Sequence, residues 1–178
     1  MRISLLTCGP ANELYSIWGH TAIRVTDSSS GMDIAFNYGT FDNTDPYFYL
    51  KFTRGIMQYA LSADNYDSFL QEYKEDHRSV IEQKLMLTGE QKERLFDLLE
   101  TNALEENRYY NYRFHEDNCT TRAKGIINKS TRNSIFFGEN KIILKGYPAS
   151  NRMSFITPFN LFSLLALTFI CLSFSKSG

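Results

Sequence analysis

Apolar residues recur along this chain in two rhythms, one of period two and one of period three to four. The opening segment, MRISLLTCGP, holds a short apolar run at residues 3–6 that ends at Gly9 and Pro10. It reads as a first β-strand, and it is too short for the hydrophobic core of a secretory signal peptide. Residues 14–25 (LYSIWGHTAIRV) and 32–41 (MDIAFNYGTF) are rich in β-branched and aromatic residues and flank the turn-forming cluster TDSSSG, which predicts a β-hairpin. Residues 47–61 are aromatic and mixed in pattern, fitting a short helix or a strand with a substrate-facing surface. Residues 64–77 change to the helical rhythm, with Tyr66, Phe69, Leu70 and Tyr73 on one face and Asp64 as the expected N-cap. Residues 78–87 (RSVIEQKLML) alternate as a strand. Thr88 and Gln91 form a capping-box pair ahead of a helix whose apolar face is Leu95, Phe96, Leu98, Leu99 and Ala103. Residues 109–114 are extended and aromatic, and Asp117 or Asn118 is placed to cap a helix from Cys119 to about Asn128.

After that helix the pattern changes twice. Residues 130–152 are polar and contain glycine, with one apolar patch at 142–144. Residues 155–174 (FITPFNLFSLLALTFICLSF) then run without a charge. A helix of that length covers roughly 30 Å, the thickness of a bilayer core. Pro158 suits its first turn and Asn160 the interface. Arg152 and Lys176 flank it symmetrically, so the positive-inside rule does not orient it. The bland alternative is a buried C-terminal helix. The expected organisation is an α+β domain at 1–135, a linker at 136–154 and a transmembrane helix at 155–174.

Composition narrows the function classes. The 178 residues are 43% hydrophobic, enough to bury the core of one domain. Nineteen basic against twenty acidic residues leave a net charge of −1, which argues against nucleic-acid binding driven by bulk charge. Fourteen Phe and eleven Tyr suit a β-containing core or an apolar cleft. Three Cys, widely spaced, indicate neither a disulfide scaffold nor a zinc site, and three separated His do not make a metal centre. Neither a metal nor an organic cofactor is expected.

The chemistry concentrates at Cys119, in RFHEDNCTTRAKGI. At a helix N-terminus the backbone N–H groups and the helix dipole favour thiolate over thiol, and Arg122, one turn on, adds positive charge. A reactive thiol also needs a proton acceptor. His115 is local but sits in the extended segment before the helix. His20, in WGHTAIRV, is the better partner if its strand packs against the helix start. On residue types alone a lone Cys is more commonly a small buried hydrophobe, and a strand His a core residue. The remaining candidates read as structural: Cys8 as packing, Cys171 as part of the apolar segment, and His77 as a helix-end surface residue. Glu13, Asp42 and Asp45 read as loop residues, and Arg24 as facing away from the core.

Four blocks in order, SLLTCGPANELYSIWGHTAIRV, FNYGTFD, FYLKFTRG and DNCTTRAKGII, span about residues 3 to 130. Together they resemble the Lnb-type lipoprotein N-acyltransferases of the bacterial envelope. The resemblance implies a circularly permuted papain-like fold, related in plan to NlpC-type peptidases and lecithin retinol acyltransferase, with the nucleophile at a helix N-terminus beside an antiparallel sheet. It implies Cys119 as nucleophile, His20 as base and Asn37 as the orienting residue, with Asp42 as the alternative. Tyr15 would help hold the oxyanion or line the cleft, and Tyr15, Asp42 and Arg122 are the expected substrate-binding residues. The implied activity moves an acyl chain from a phospholipid, through a Cys thioester, to the N-terminal amine of a lipoprotein at the inner membrane, on its periplasmic side. Two departures from the pattern accompany it: no signal peptide is visible, and the stretch between Cys119 and the apolar segment is short, as in a truncated or degenerate copy. The rival readings are an NlpC-type cell-wall amidase or peptidase and an inactive membrane-tethered binding module.

Overall fold

The alternation of apolar residues in the strands gives the sheet two buried faces. In the computed structural model, which describes residues 1–12, 16–41, 46–47, 50–51, 54–113, 116–132 and the backbone of 136–144, the first strand is β1 (Arg2–Cys8). Its Ile3 and Leu5 join one apolar cluster, and Leu6 and Cys8 join another. Successive strand side chains point to opposite faces, so these clusters lie on opposite sides of one sheet.

The strands β2 (His20–Asp27), β3 (Met32–Thr40), β4 (Gln58–Asn65), β5 (Val80–Met86), β6 (Tyr109–Asn111) and β7 (Phe136–Leu144) complete that sheet. Its order is β6-β4-β3-β2-β1-β5-β7, and every pairing is antiparallel. Among the described residues three helices cover it: α1 (Tyr66–Glu75) on one face, α2 (Gly89–Ala103) and α3 (Cys119–Thr131) on the other. The fold is α+β. Helix α1 buries Tyr66, Phe69, Leu70 and Tyr73 over Leu6, Cys8, Ala22, Ala35 and Val80. Leu95 and Leu99 of α2, with Ala123, Ile126 and Ile127 of α3, close the core over Ile3, Ile23, Val25 and Phe36. Full burial of a side chain such as Leu99 contributes on the order of 2 kcal/mol.

Local chemistry accounts for the connections. The β2–β3 hairpin pairs Asp27 with Met32, and Asp27 Oδ1 accepts from the N–H and hydroxyl of Ser29, which sets the turn. Thr88 and Gln91 cap α2 reciprocally, as their spacing predicts. Between β1 and β2 the chain turns at Gly19, whose φ is +75° and where a Cβ would lie 2.7 Å from the carbonyl oxygen of Cys8.

Several expectations are corrected. Helix α1 is capped by Asn65, not Asp64, because β4 continues through Asp64 and Asn65 to pair with Ala35 and Ile34. The β2 strand starts at His20, and residues 16–18 before it form a turn. Helix α3 runs to Thr131, three residues beyond the expected end. Arg24 does point away from Ile23 and Val25, but the opposite face is covered as well. It lies over the Tyr66 ring at 3.4 Å and pairs with Asp33 and Glu82. Part of the expected linker is β7, a strand paired with β5. Among the described residues no helix is long and apolar enough to cross a membrane. Residues 155–174, with the expected membrane helix and Cys171, lie outside the described residues.

Candidate active site

Helix α3 begins where Asn118 ends extended backbone. Asn118 Oδ1 accepts from Thr120 N and Thr121 N, and Thr121 Oγ1 accepts from Asn118 N, closing a reciprocal cap. Cys119 is therefore the first helical residue. Two of the helix-start donors, the N–H groups of Thr120 and Thr121, are already used by the cap.

Strand β2 meets this helix start at its first two residues. His20 and the backbone N–H of Thr21 lie close enough to the Cys119 thiol to lower its pKa, His20 by charge first and both by hydrogen bonding. The Thr21 hydroxyl bonds the Thr120 hydroxyl at 3.0 Å, which ties β2 to α3 one residue beyond the sulfur. Thr120 Oγ1 also lies 3.9 Å from Cys119 Sγ. His20 and Cys119 are 99 residues apart in the chain and adjacent in the fold.

Asn37, on β3, completes the group. His20 Nε2 donates to Asn37 Oδ1 at 2.6 Å. The same oxygen accepts from Gly39 N–H at 2.7 Å, so the amide is oriented with its oxygen toward both donors. With its proton on Nε2, a neutral His20 has Nδ1 as its acceptor.

Burial is the largest influence on the Cys119 thiol and pushes its pKa up. The positive charge of His20, the hydrogen bonds from His20 and Thr21, and the Thr120 hydroxyl outweigh it and bring the thiol down from 9.0 to about 7. Cys8 shows the contrast. It is buried under α1, and desolvation lifts its thiol to about 12 despite a hydrogen bond to Tyr73 and the nearby Arg78 charge.

Tyr110 and Tyr112 are near enough to the sulfur to feel its charge, and both belong to an aromatic group. Tyr59 stacks on Tyr112 at 4.3 Å between ring centres, and Phe41 and Tyr110 pack at 4.9 and 6.0 Å. Burial, and then the Cys119 charge, raise the hydroxyl pKa of both Tyr110 and Tyr112. The Tyr110 hydroxyl donates to the Tyr38 carbonyl, so its polar end is occupied inside the sheet.

The other expected site residues are placed less directly. Arg122 grips Asp117 with two bonds, at 2.6 and 2.7 Å, and lies 3.8 Å over the Tyr110 ring. It thereby braces the start of α3 against β6. Tyr15 and Asp42 lie outside the described residues, as do His115, Glu13 and Asp45. Among the described residues no three His, Cys, Asp or Glu side chains converge as metal ligands do. Gly39, Thr21 and Thr120 were not singled out from the sequence. Their neighbours in NYGT, GHT and NCTT carry the chemistry, but nothing in the residue types marks the contacts themselves.

The family model for the Lnb N-terminal periplasmic domain matches residues 1–149. The chain belongs to the Lnb family. The match takes in every strand and helix described above, so His20, Asn37 and Cys119 all fall within the Lnb domain. That domain is described as periplasmic, which agrees with a protein of the cell envelope. No curated protein and no solved structure matches this Lnb chain.

Proposed function

We propose that this Lnb-family protein is a cysteine-dependent acyltransferase with a papain-like plan, anchored at the inner membrane by residues 155–174. It takes an acyl chain from a phospholipid and gives it to the N-terminal amine of a lipoprotein. The observation that carries the reading is the grouping of Cys119, His20 and Asn37 at the start of a helix, with His20 bonded to Asn37 and its charge lowering the Cys119 pKa. A thiol near neutrality, an imidazole touching it and an amide orienting the imidazole are the parts that thiol acyl transfer requires.

In the first step the Cys119 thiolate attacks the ester carbonyl carbon and a C–S bond forms. Cys119 N–H donates to the oxyanion that develops. The C–O ester bond then breaks, His20 gives its proton to the departing alkoxide, and a lysophospholipid leaves. In the second step the lipoprotein amine attacks the thioester, His20 accepts the amine proton, the C–S bond breaks and the thiolate returns. Asn37 holds the imidazole through both steps.

The test is to incubate the purified full chain with acyl-labelled phospholipid and look for hydroxylamine-sensitive label on the protein. Wild type and Cys8→Ser should carry it, and Cys119→Ser should not. Label that persists in Cys119→Ser would assign the chemistry to another residue. No label on wild type, combined with cleavage of a cell-wall peptide, would support the amidase reading instead.

A further inference from the structure

Gly39 has a backbone that any residue could adopt, since the described glycines with positive φ are Gly19, Gly31 and Gly55. The reason for a glycine there lies across the strand. A methyl group on its Cα would lie 3.0 Å from His20 Nδ1 and closer still to Cε1, tighter than the roughly 3.5 Å of ordinary carbon contact. The imidazole thus rests on the bare Cα of Gly39. The Gly39 N–H meanwhile donates to Asn37 Oδ1 at 2.7 Å, and that oxygen also accepts from His20 Nε2 at 2.6 Å. Turning the Asn37 amide over would set its NH2 group against two donors at once.

We infer that Gly39 is a positioning residue for His20. Its missing side chain gives the imidazole its place, and its N–H, acting through Asn37, gives the imidazole its tautomer. Gly39 touches no reacting atom; it acts by setting which nitrogen, and at what angle, His20 offers to Cys119. The inference rests on the Cys119–His20 reading proposed above. An alanine at 39 would swing the ring away from the sulfur and remove the interaction that keeps the thiol reactive near neutral pH.

The test is the pH profile of Cys119 alkylation by iodoacetamide in the full chain, read by mass on the Cys119 peptide. Wild type should show a midpoint near 7. Gly39→Ala should move it up by a unit or more, toward the ordinary thiol value of about 8.5. A folded Gly39→Ala protein with an unchanged midpoint overturns the inference while leaving the Cys119–His20 reading intact. A wild-type midpoint in the ordinary range defeats that reading itself. If Gly39→Ala alone does not fold, the double variant His20→Ala/Gly39→Ala decides. With the ring gone its melting temperature should match that of His20→Ala, and a large loss that persists without the ring overturns the inference.

Discussion

At Cys119 two opposing influences meet, and their balance gives the residue its pH dependence. Burial pushes the thiol up, and the charge and hydrogen bond of His20, joined by Thr21 and Thr120, together outweigh it and bring the thiol to about 7. Alkylation of Cys119 should therefore rise as pH climbs through 7. In His20→Ala the burial loses its main opponent, and the midpoint should move above 9. Acyl transfer should fall by roughly 10² to 10⁴-fold, the usual weight of a general base. An unchanged alkylation profile in His20→Ala would separate the two residues. The sign for stability follows from the same shift. A thiol whose pKa is lower folded than unfolded stabilises the fold fully above about pH 9, and that contribution fades as pH falls through 9 toward 7. At this scale the sequence was informative where chemistry resides in residue type. Cys119 at a helix start, His20 and Asn37 were all nameable from the residues and the resemblance they carry. Gly39 was not, because its role is a distance to a ring on another strand, and a glycine among polar residues looks like any turn or bulge.

The elements hold these residues in register. Helix α3 starts at Cys119 because Asn118 satisfies two of its first N–H groups. Asn118→Ala should cost about 1 kcal/mol of stability, the usual loss for a helix cap, measured by urea unfolding. It should also reduce Cys119 reactivity, since the first turn frays and the Thr120–Thr21 hydroxyl bond is released. A variant as stable as wild type would mean that the cap is not what starts the helix. The capping box at Thr88 was legible because its two members are three residues apart and act locally. Strand β7 was not. Its partner is β5, some fifty residues away, and a polar stretch with one apolar patch gives no sign of an edge strand whose hydrogen bonds are made by another part of the chain. Arg24 misled in part for the same reason. Its alternation with Ile23 and Val25 gives its face, but not that α1 covers that face.

At the scale of the whole molecule, the described domain and the apolar segment at 155–174 make separable demands. Deleting 155–178 should move the protein from the membrane fraction to the soluble fraction, with a cooperative unfolding transition retained and only the deleted helix's own circular dichroism lost. A truncated protein that aggregates and loses its spectrum would show that the segment belongs to the core. The organisation of the sheet has a further consequence. His20 enters on β2, and Cys119 comes 99 residues later on α3, so the two meet only when that helix is docked against β2. Until then Cys119 is an ordinary thiol, only about 3% ionised at pH 7 for a pKa near 8.5. In a half-made or unfolded copy the Cys119 sulfur has ordinary thiol ionisation, and its thiolate fraction at neutral pH reports on whether the fold around it is complete.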